Sequence, residues 1–446
     1  MNTLHNDAQT IFETGLKRVD PIEMMIQVLS LKGNHLTLKT ENTNRTFDLT
    51  QYKNIYVLGA GKASARMALA LEQILGDKIT KGLVVVKTGH TESLKKIALK
   101  EASHPIPDQS SHDGAKALLE LAKQANKDDL VVTLISGGGS ALATLPVDGV
   151  TLADKQAITK QLLGSGATIH EINAVRKHLS QIKGGNLAKA IAPATALNLI
   201  LSDVMGDDLD TIASGMTAPD SKTFADVEEI LTRYNISPPD SITQIIEKGL
   251  QGKIQDTPKA DDQVFSNCQN IIIGSNYQAL LASMEKAKEL GYNTLGLTSR
   301  LMGEASEIAK VFLSTALDIQ DKDFPIKKPA CIIAGGETTV HLKGRGKGGR
   351  NQEMALSFLC ELSRLAPPTD KIMFLSASTD GSDGPTDATG AFAYYDELNK
   401  AQKLSLSPHL FLADNNSYEF FDKLGELLRT GPTNTNVCDL QILLLR

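Results

Sequence analysis

Lys62 is the first residue placed for chemistry. It sits in Val57-Leu58-Gly59-Ala60-Gly61-Lys62-Ala63-Ser64, where an apolar run passes through two glycines into a helical period. Glycines at such a turn let main-chain N–H groups approach an anion closely, and a cation at a helix start opposes the helix dipole unless an anion lies between. The segment satisfies neither familiar nucleotide fingerprint. A dinucleotide motif needs glycine where Ser64 stands and an acid at the end of the next strand, which is Lys87; a Walker motif needs glycine at Tyr56 and a hydroxyl at Ala63.

Two further glycine clusters repeat the theme. Ser136-Gly137-Gly138-Gly139-Ser140 offers a row of N–H donors between two hydroxyls, suited to a phosphate or a carboxylate. The stretch from Lys343 to Arg350 interleaves Lys343, Arg345, Lys347 and Arg350 with Gly344, Gly346, Gly348 and Gly349, then enters a helix capped by Asn351. A single run without aromatic residues argues against an RGG-like nucleic-acid segment, so a loop that grips phosphoryl oxygens through Lys347 or Arg350 is expected. Acids complete the set. Asp203, Asp207, Asp208 and Asp210 follow one apolar run, and Asp380, Asp383 and Asp387 follow another. Mg²⁺ keeps several waters and needs one or two carboxylates, which makes Asp203, Asp208, Asp380 and Asp383 the metal candidates; a carboxylate there also serves as proton acceptor for a substrate hydroxyl. His104, at a double-proline turn, reads as a structural residue, and the other histidines form no constellation.

The elements that must hold these groups alternate along 446 residues. Apolar runs at Asn54–Leu58, Leu83–Lys87, Ile97–Ala102, Leu130–Ile135 and Leu197–Leu201 predict strands covered on both faces, separated by amphipathic helices. From Ile236 to Ser266 the pattern weakens and proline and aspartate recur, which predicts a domain boundary. A second half restarts with strands at Asn270–Ile273, Asn293–Leu297, Cys331–Ala334, Thr338–Lys343, Ile372–Ser376 and Gln441–Leu445. The expectation is an α/β protein of two domains, residues 1–250 and 262–446. A net charge of −6, with 46 basic against 52 acidic residues, disfavours a general nucleic-acid or anionic-membrane binder. No apolar run reaches membrane-spanning length, there is no secretory leader pattern, and four scattered cysteines suggest neither zinc nor disulfides, so a cytoplasmic protein is expected. Phosphate loops, cations and carboxylates in both halves are the equipment of phosphoryl transfer.

Long strings then carry a resemblance. GAGKAS (Gly59–Ser64), HPIPD (His104–Asp108), ISGGGSAL (Ile135–Leu142), INAVRKHLSQIKGGNLA (Ile172–Ala188), LSDVMGDDLDTIASG (Leu201–Gly215), GGETTVHLKGRGKGGRNQE (Gly335–Glu353), TDGSDGPTDATGA (Thr379–Ala391) and TGPTNTNVCDL (Thr430–Leu440) resemble, in order, the glycerate 2-kinase family with its C-terminal MOFRL domain. The resemblance implies a larger Rossmann-like N-terminal domain, a smaller C-terminal α/β domain with a mixed sheet, and an active site in the cleft between them. It implies phosphorylation of D-glycerate by ATP with Mg²⁺, most simply to 2-phosphoglycerate, by a monomer or homodimer that binds neither nucleic acid nor membrane. Lys62 and Arg350 fall on the family's functional lysine and arginine; Asp203, from the acids that follow the apolar run before it, is expected to act with them as a catalytic residue. Gly59, Gly61, Ser136, Gly137, Gly138, Gly139, Ser140, Lys347 and Asn351 are the expected nucleotide contacts. A hydroxypyruvate reductase and a non-enzymatic sugar-phosphate sensor are the competing readings. Two departures stand out: Met216 where the family usually has proline, and Asn434 where it has glycine.

Overall fold

Residues 3–365 and 371–446 are described by a computed structural model, which divides into two compact units. The larger is Pro21–Ile273; the smaller is Gly274–Arg446 together with the N-terminal stretch up to Asp20.

The larger unit opens with an antiparallel meander of β1 (Leu29–Lys32), β2 (His35–Lys39) and β3 (Asn44–Asp48). Its strands are short and only one side is buried, through Leu36, Leu38 and Phe47, so they leave no long apolar run in the sequence. The main sheet comprises β4 (Ile55–Ala60), β5 (Lys81–Lys87), β6 (Ile97–Ala102), β7 (Leu130–Ile135), β8 (Thr195–Leu201) and β9 (Cys268–Gly274), in the order β6-β5-β4-β7-β8-β9. The pairings from β6 through to β8 are parallel. The runs read from the sequence are among these strands; β4, β5, β7 and β8 are buried nearly throughout, with no position left for alternation, whereas the edge strand β6 buries only its two ends. The order reverses direction at β4, which places the β4 and β7 turns side by side at the carboxyl edge, where open α/β sheets bind ligands.

The smaller unit carries β10 (Asn293–Leu301), β11 (Ala330–Gly336), β12 (Ile372–Ser378), β13 (Gly390–Tyr394), β14 (Leu427–Leu428) and β15 (Asp439–Leu445), ordered β10-β11-β15-β12-β13-β14. β10 and β11 are parallel, while β15 runs antiparallel between β11 and β12. The sheet is therefore mixed. Phe358 of the helix Arg350–Leu362 stacks on Phe374 of β12 at 4.7 Å, fixing that helix across the sheet.

The compact units do not follow the expected boundaries at 250 and 262. β9, expected to open the second domain, is instead the last strand of the larger unit's sheet. The proline- and aspartate-bearing stretch contains a helix, Asp240–Leu250, whose Ile242, Ile245 and Ile246 pack with Phe224, Val227 and Ile230. The N-terminal helix Thr3–Arg18 joins the smaller unit: Ser283 Oγ donates to Ile11 O at 3.1 Å, and Tyr292 OH donates to Asp7 Oδ2 at 2.6 Å. A β-carbon on Gly15 would overlap Ser283, so glycine sets the close approach of this helix. An amphipathic period announces such a helix without announcing which core receives it. The expected strand Thr338–Lys343 is also absent; that stretch makes one isolated bridge, Thr339 to Glu304.

Candidate active site

In the larger unit the turn after β4 places Lys62. Its N–H donates to Gly137 O at 2.9 Å, so the β4 turn is hydrogen-bonded to the β7 turn. Ser136 Oγ, buried, accepts from Ala63 N–H at 3.1 Å and lies 3.1 Å from Ser64 Oγ. A β-carbon at Gly61, where φ is +149°, would overlap Ser136, and one at Gly59 would press Leu134 of the neighbouring strand. Gly139 likewise has Ala60 O against it. Gly59, Gly61, Gly139 and Ser136 thus fasten two strand-to-helix turns together where there is no room for a side chain. Gly138, with φ +80°, faces an open space, with the His104 ring and Lys62 Cε just over 3 Å from its missing β-carbon. Burial first, and then the Lys62 charge, brings the His104 imidazole down to about 4, so it stays neutral beside the lysine.

That space is a cavity of about 680 Å³ bounded by the β7 turn, the His104–Pro107 turn, Lys183 and the helix Leu152–Gly164. Lys183 is 2% exposed and donates to Ser140 O at 2.6 Å; burial, then the Arg176 charge, lowers its ammonium to about 7. Sequence reasoning missed Lys183. The signal available was a lysine between Ile182 and the Gly184-Gly185 pair, inside an otherwise apolar stretch. Ser140 Oγ lies 2.6 Å from Ser214 Oγ. Ser214 has φ +57° between Ala213 at +49° and Gly215 at +61°, three successive left-handed residues that side-chain bonds to Ser140 and Asn173 hold in place.

Of the acids here, Asp203 lies directly against Gly137, where a β-carbon would overlap its carboxylate. Asp208 and Asp210 come together with His170, each offering a ligand atom within 4.8 Å of the others. The expectation that no further histidine joins a constellation is thus corrected: His170 arrives from the helix Ile169–His178, distant in sequence and near in space. Buried Lys177 bonds Asp210 at 3.1 Å and Asp220 at 3.3 Å, bracing this loop.

In the smaller unit Arg350 opens the helix Arg350–Leu362 and is clamped by carboxylates. Nε donates to Asp439 Oδ2 at 2.6 Å, Nη2 to Asp439 Oδ1 at 2.9 Å, and Nη1 to Glu337 Oε1 at 2.5 Å. Asp439 starts β15 opposite Gly336 of β11 and Ser378 of β12, so the clamp sits where those two strands end. These carboxylates keep the guanidinium charged, whereas burial pushes the Asp439 carboxyl up to about 6 against the pull of Arg350. Asp439 and Glu337 were not among the sequence candidates.

The glycine-rich loop before Arg350 departs from expectation. Five successive amides are already occupied: Lys343 and Gly344 N–H donate to Asn415 Oδ1, Arg345 N–H to Asp414 Oδ1, Gly346 N–H to Asp414 O and Lys347 N–H to Asn416 Oδ1. Its glycines exist because β-carbons at 344 and 346 would overlap Asp414 and Asn416. Lys347 is exposed and lies 4.3 Å over the Tyr418 ring. Asn351 is buried, accepting from Ser376 Oγ and donating to Asp383. Asp383 takes four hydrogen bonds from the amides and side chains of Asn351 and Gln352, and burial raises its pKa despite them. It anchors the helix start and has no lone-pair direction left for a metal, so Asp383 as metal ligand and Asn351 as ligand contact are corrected to structural roles. Asp380 Oδ1 accepts from Ser378 Oγ and Ser382 N–H.

The family described as a domain of unknown function, DUF4147, matches residues 7–247, and the MOFRL family matches residues 330–439. A D-glycerate 2-kinase from Thermotoga maritima is 43% identical over 389 residues, covering 87% of this chain and 90% of that protein. A solved glycerate kinase from the same organism superposes with a TM-score of 0.89 at 39% identity, covering 100% of both chains.

The chain belongs to the glycerate 2-kinase family.

A relative from Agrobacterium vitis, named a putative hydroxypyruvate reductase, is 42% identical over 391 residues, 87% of this chain and 86% of its own. The two departures from the glycerate 2-kinase pattern are absorbed locally. Met216 is buried in the core with Ile182 and Leu187, and Asn434 has φ +60°, a left-handed conformation that asparagine adopts more readily than most residues. Among the described residues no helix is long and apolar enough to cross a membrane.

Proposed function

We propose that this protein transfers the γ-phosphoryl group of ATP to the 2-hydroxyl of D-glycerate, giving ADP and 2-phosphoglycerate. The observation that carries the reading is Arg350, a guanidinium pre-oriented by Asp439 and Glu337 where strands end, at the position of the family's functional arginine by sequence resemblance. Phosphoryl transfer asks for positioned positive charge more than for covalent chemistry. Arg350 and Lys62 supply that charge, the first as a rigid fork and the second as a point charge on a flexible stem.

The donor set suits Mg²⁺. Asp203 and Asp208 are carboxylates near the end of β8, Asp203 lies against the β7 turn, and Asp210 stands beside Asp208, so hard oxygen ligands are available in number. Asp203 and Asp208 would hold the ion, and Mg²⁺ when bound offsets phosphate charge. Asp380 is the remaining acceptor for the glycerate hydroxyl proton. The test is direct: incubate the purified protein with D-glycerate, ATP and Mg²⁺, follow ADP, and identify the product by phosphorus NMR. Production of 3-phosphoglycerate would remove the 2-hydroxyl assignment, and oxidation of a reduced nicotinamide cofactor by hydroxypyruvate without ADP formation would replace the kinase with a reductase.

A further inference from the structure

The cavity of the larger unit is far bigger than a three-carbon acid requires, and its walls are of two kinds. Along the helix Leu152–Gly164, positions 152, 155, 156, 159, 160 and 163 share one face and line it, while Ile158 and Leu162 on another face are buried in the helical core. Among the residues that line it, Ile106 is 68% and Leu163 is 62% exposed, two large aliphatics open to solvent that a ligand in the cavity can cover. The lining includes four cations, Lys155, Lys160, Arg176 and Lys183, and no carboxylate among the described residues. Lys155 is spent on Arg176 O and Leu179 O. Lys183 is not: one of its three donors meets Ser140 O, and no carboxylate among the described residues of the cavity wall faces its buried charge.

An occupant must therefore bring negative charge at the Lys183 end and a flat apolar surface at the Ile106 end, within about 680 Å³, a volume ordinary for a ligand of nucleotide size. We propose that this cavity is the nucleotide subsite: the base lies against Ile106 and Leu163, and the phosphates run toward Lys183, Arg176 and the Gly138 turn beside Lys62. Gln156 sharpens the base end. Its Nε2 donates to Pro107 O at 2.7 Å, leaving its amide oxygen to accept from an exocyclic amine. A phosphate beside Lys183 also offsets the cost of burying that ammonium. The inference deepens the kinase reading and takes the nucleotide's identity from it; glycerate, on this assignment, is held elsewhere.

The experiment uses the full chain and measures MgATP affinity by titration calorimetry alongside KM for ATP and for glycerate. Ile106→Glu and Leu163→Glu alter exposed positions and put a carboxylate where the base would lie. Each is expected to weaken ATP binding at least tenfold and raise KM for ATP in step, with KM for glycerate within twofold and an unchanged melting temperature. Lys183→Met is expected to weaken ATP similarly; if it does not fold, the two surface variants still decide the matter. Unchanged ATP affinity in both surface variants, or a rise confined to the glycerate KM, overturns the assignment. The two readings fail separately. Cavity-dependent ATP binding without glycerate phosphorylation sinks the glycerate substrate and leaves the subsite standing, whereas glycerate phosphorylation with ATP binding indifferent to these variants sinks the subsite alone.

Discussion

Lys62 and Arg350 each stand at a turn between a strand-rich edge and a helix, each preceded by glycine, and they are held in opposite ways. The main chain places Lys62: its own N–H is bonded to Gly137 O, and its stem rests by Gly138 and a neutral His104. The side chain places Arg350: three of its nitrogens are bonded to Asp439 and Glu337. A point charge on a flexible stem can follow a phosphate as it moves, while a clamped planar fork presents one geometry and loses little entropy in doing so. The lysine corner is thus tolerant in geometry and the arginine corner is not.

The sharpest way to break that contrast is Arg350→Lys. It keeps the charge and discards the fork, so turnover is expected to fall by about 10²-fold or more, a few kcal/mol of transition-state stabilisation. A loss under about tenfold in steady-state kinetics would show that charge alone matters there. Lys62→Ala is expected to cost about 10²-fold in turnover, and Lys62→Arg to recover a part of it that Arg350→Lys cannot; circular dichroism of each variant should match the parent.

Asp439→Asn is expected to cost about tenfold near neutrality, since the fork survives but its counter-charge does not. It also carries a pH signature. With burial holding the Asp439 carboxyl up at about 6, lowering the pH through that value protonates it and releases Arg350, so activity falls on the acid side. The parent's kcat/KM should therefore show an acid limb near that pH, and the Asn variant should lack it; an identical limb in both would remove Asp439 from the mechanism.

The smallest kinetic effect belongs to Asp383→Asn. Four donors converge on this buried carboxylate, so replacing one oxygen by an amide sets donor against donor and should cost about 1–3 kcal/mol of stability. Thermal unfolding should show a lower melting temperature, with the Mg²⁺ requirement unchanged at temperatures where the variant is folded. A raised Mg²⁺ requirement would restore Asp383 as a metal ligand.

Much of the parallel sheet was legible because strands buried on both faces must be continuous apolar runs; β7 has the expected bounds, and β4, β5 and β8 differ by one or two residues at their ends, while the edge strand β6 has the expected bounds although its middle is exposed. The meander escaped because a two-faced surface ribbon needs only a few scattered side chains inside, such as Leu36, Leu38 and Phe47. Lys62 and Arg350 were legible as cations beside glycine. Their partners were not, since Asp439 lies 89 residues beyond Arg350 and nothing local marks it as more than one acid in a closing strand.

Residue types and their periods decided the α/β class, the positions of the buried strands and the two cations, because each depends on neighbours a few residues apart. Contacts between distant segments decided the rest. Glycines that read alike in the chain were separated by what lies against them: Gly59 and Gly61 by adjoining strands and turns, Gly344 and Gly346 by Asp414 and Asn416, and Gly138 by an open cavity. The same held for amides and acids. Whether an N–H is free for a phosphate, or a carboxylate for a metal, depends on which groups the fold has already brought to it, and hydrogen-bonding capacity once spent within the protein is no longer available to a ligand.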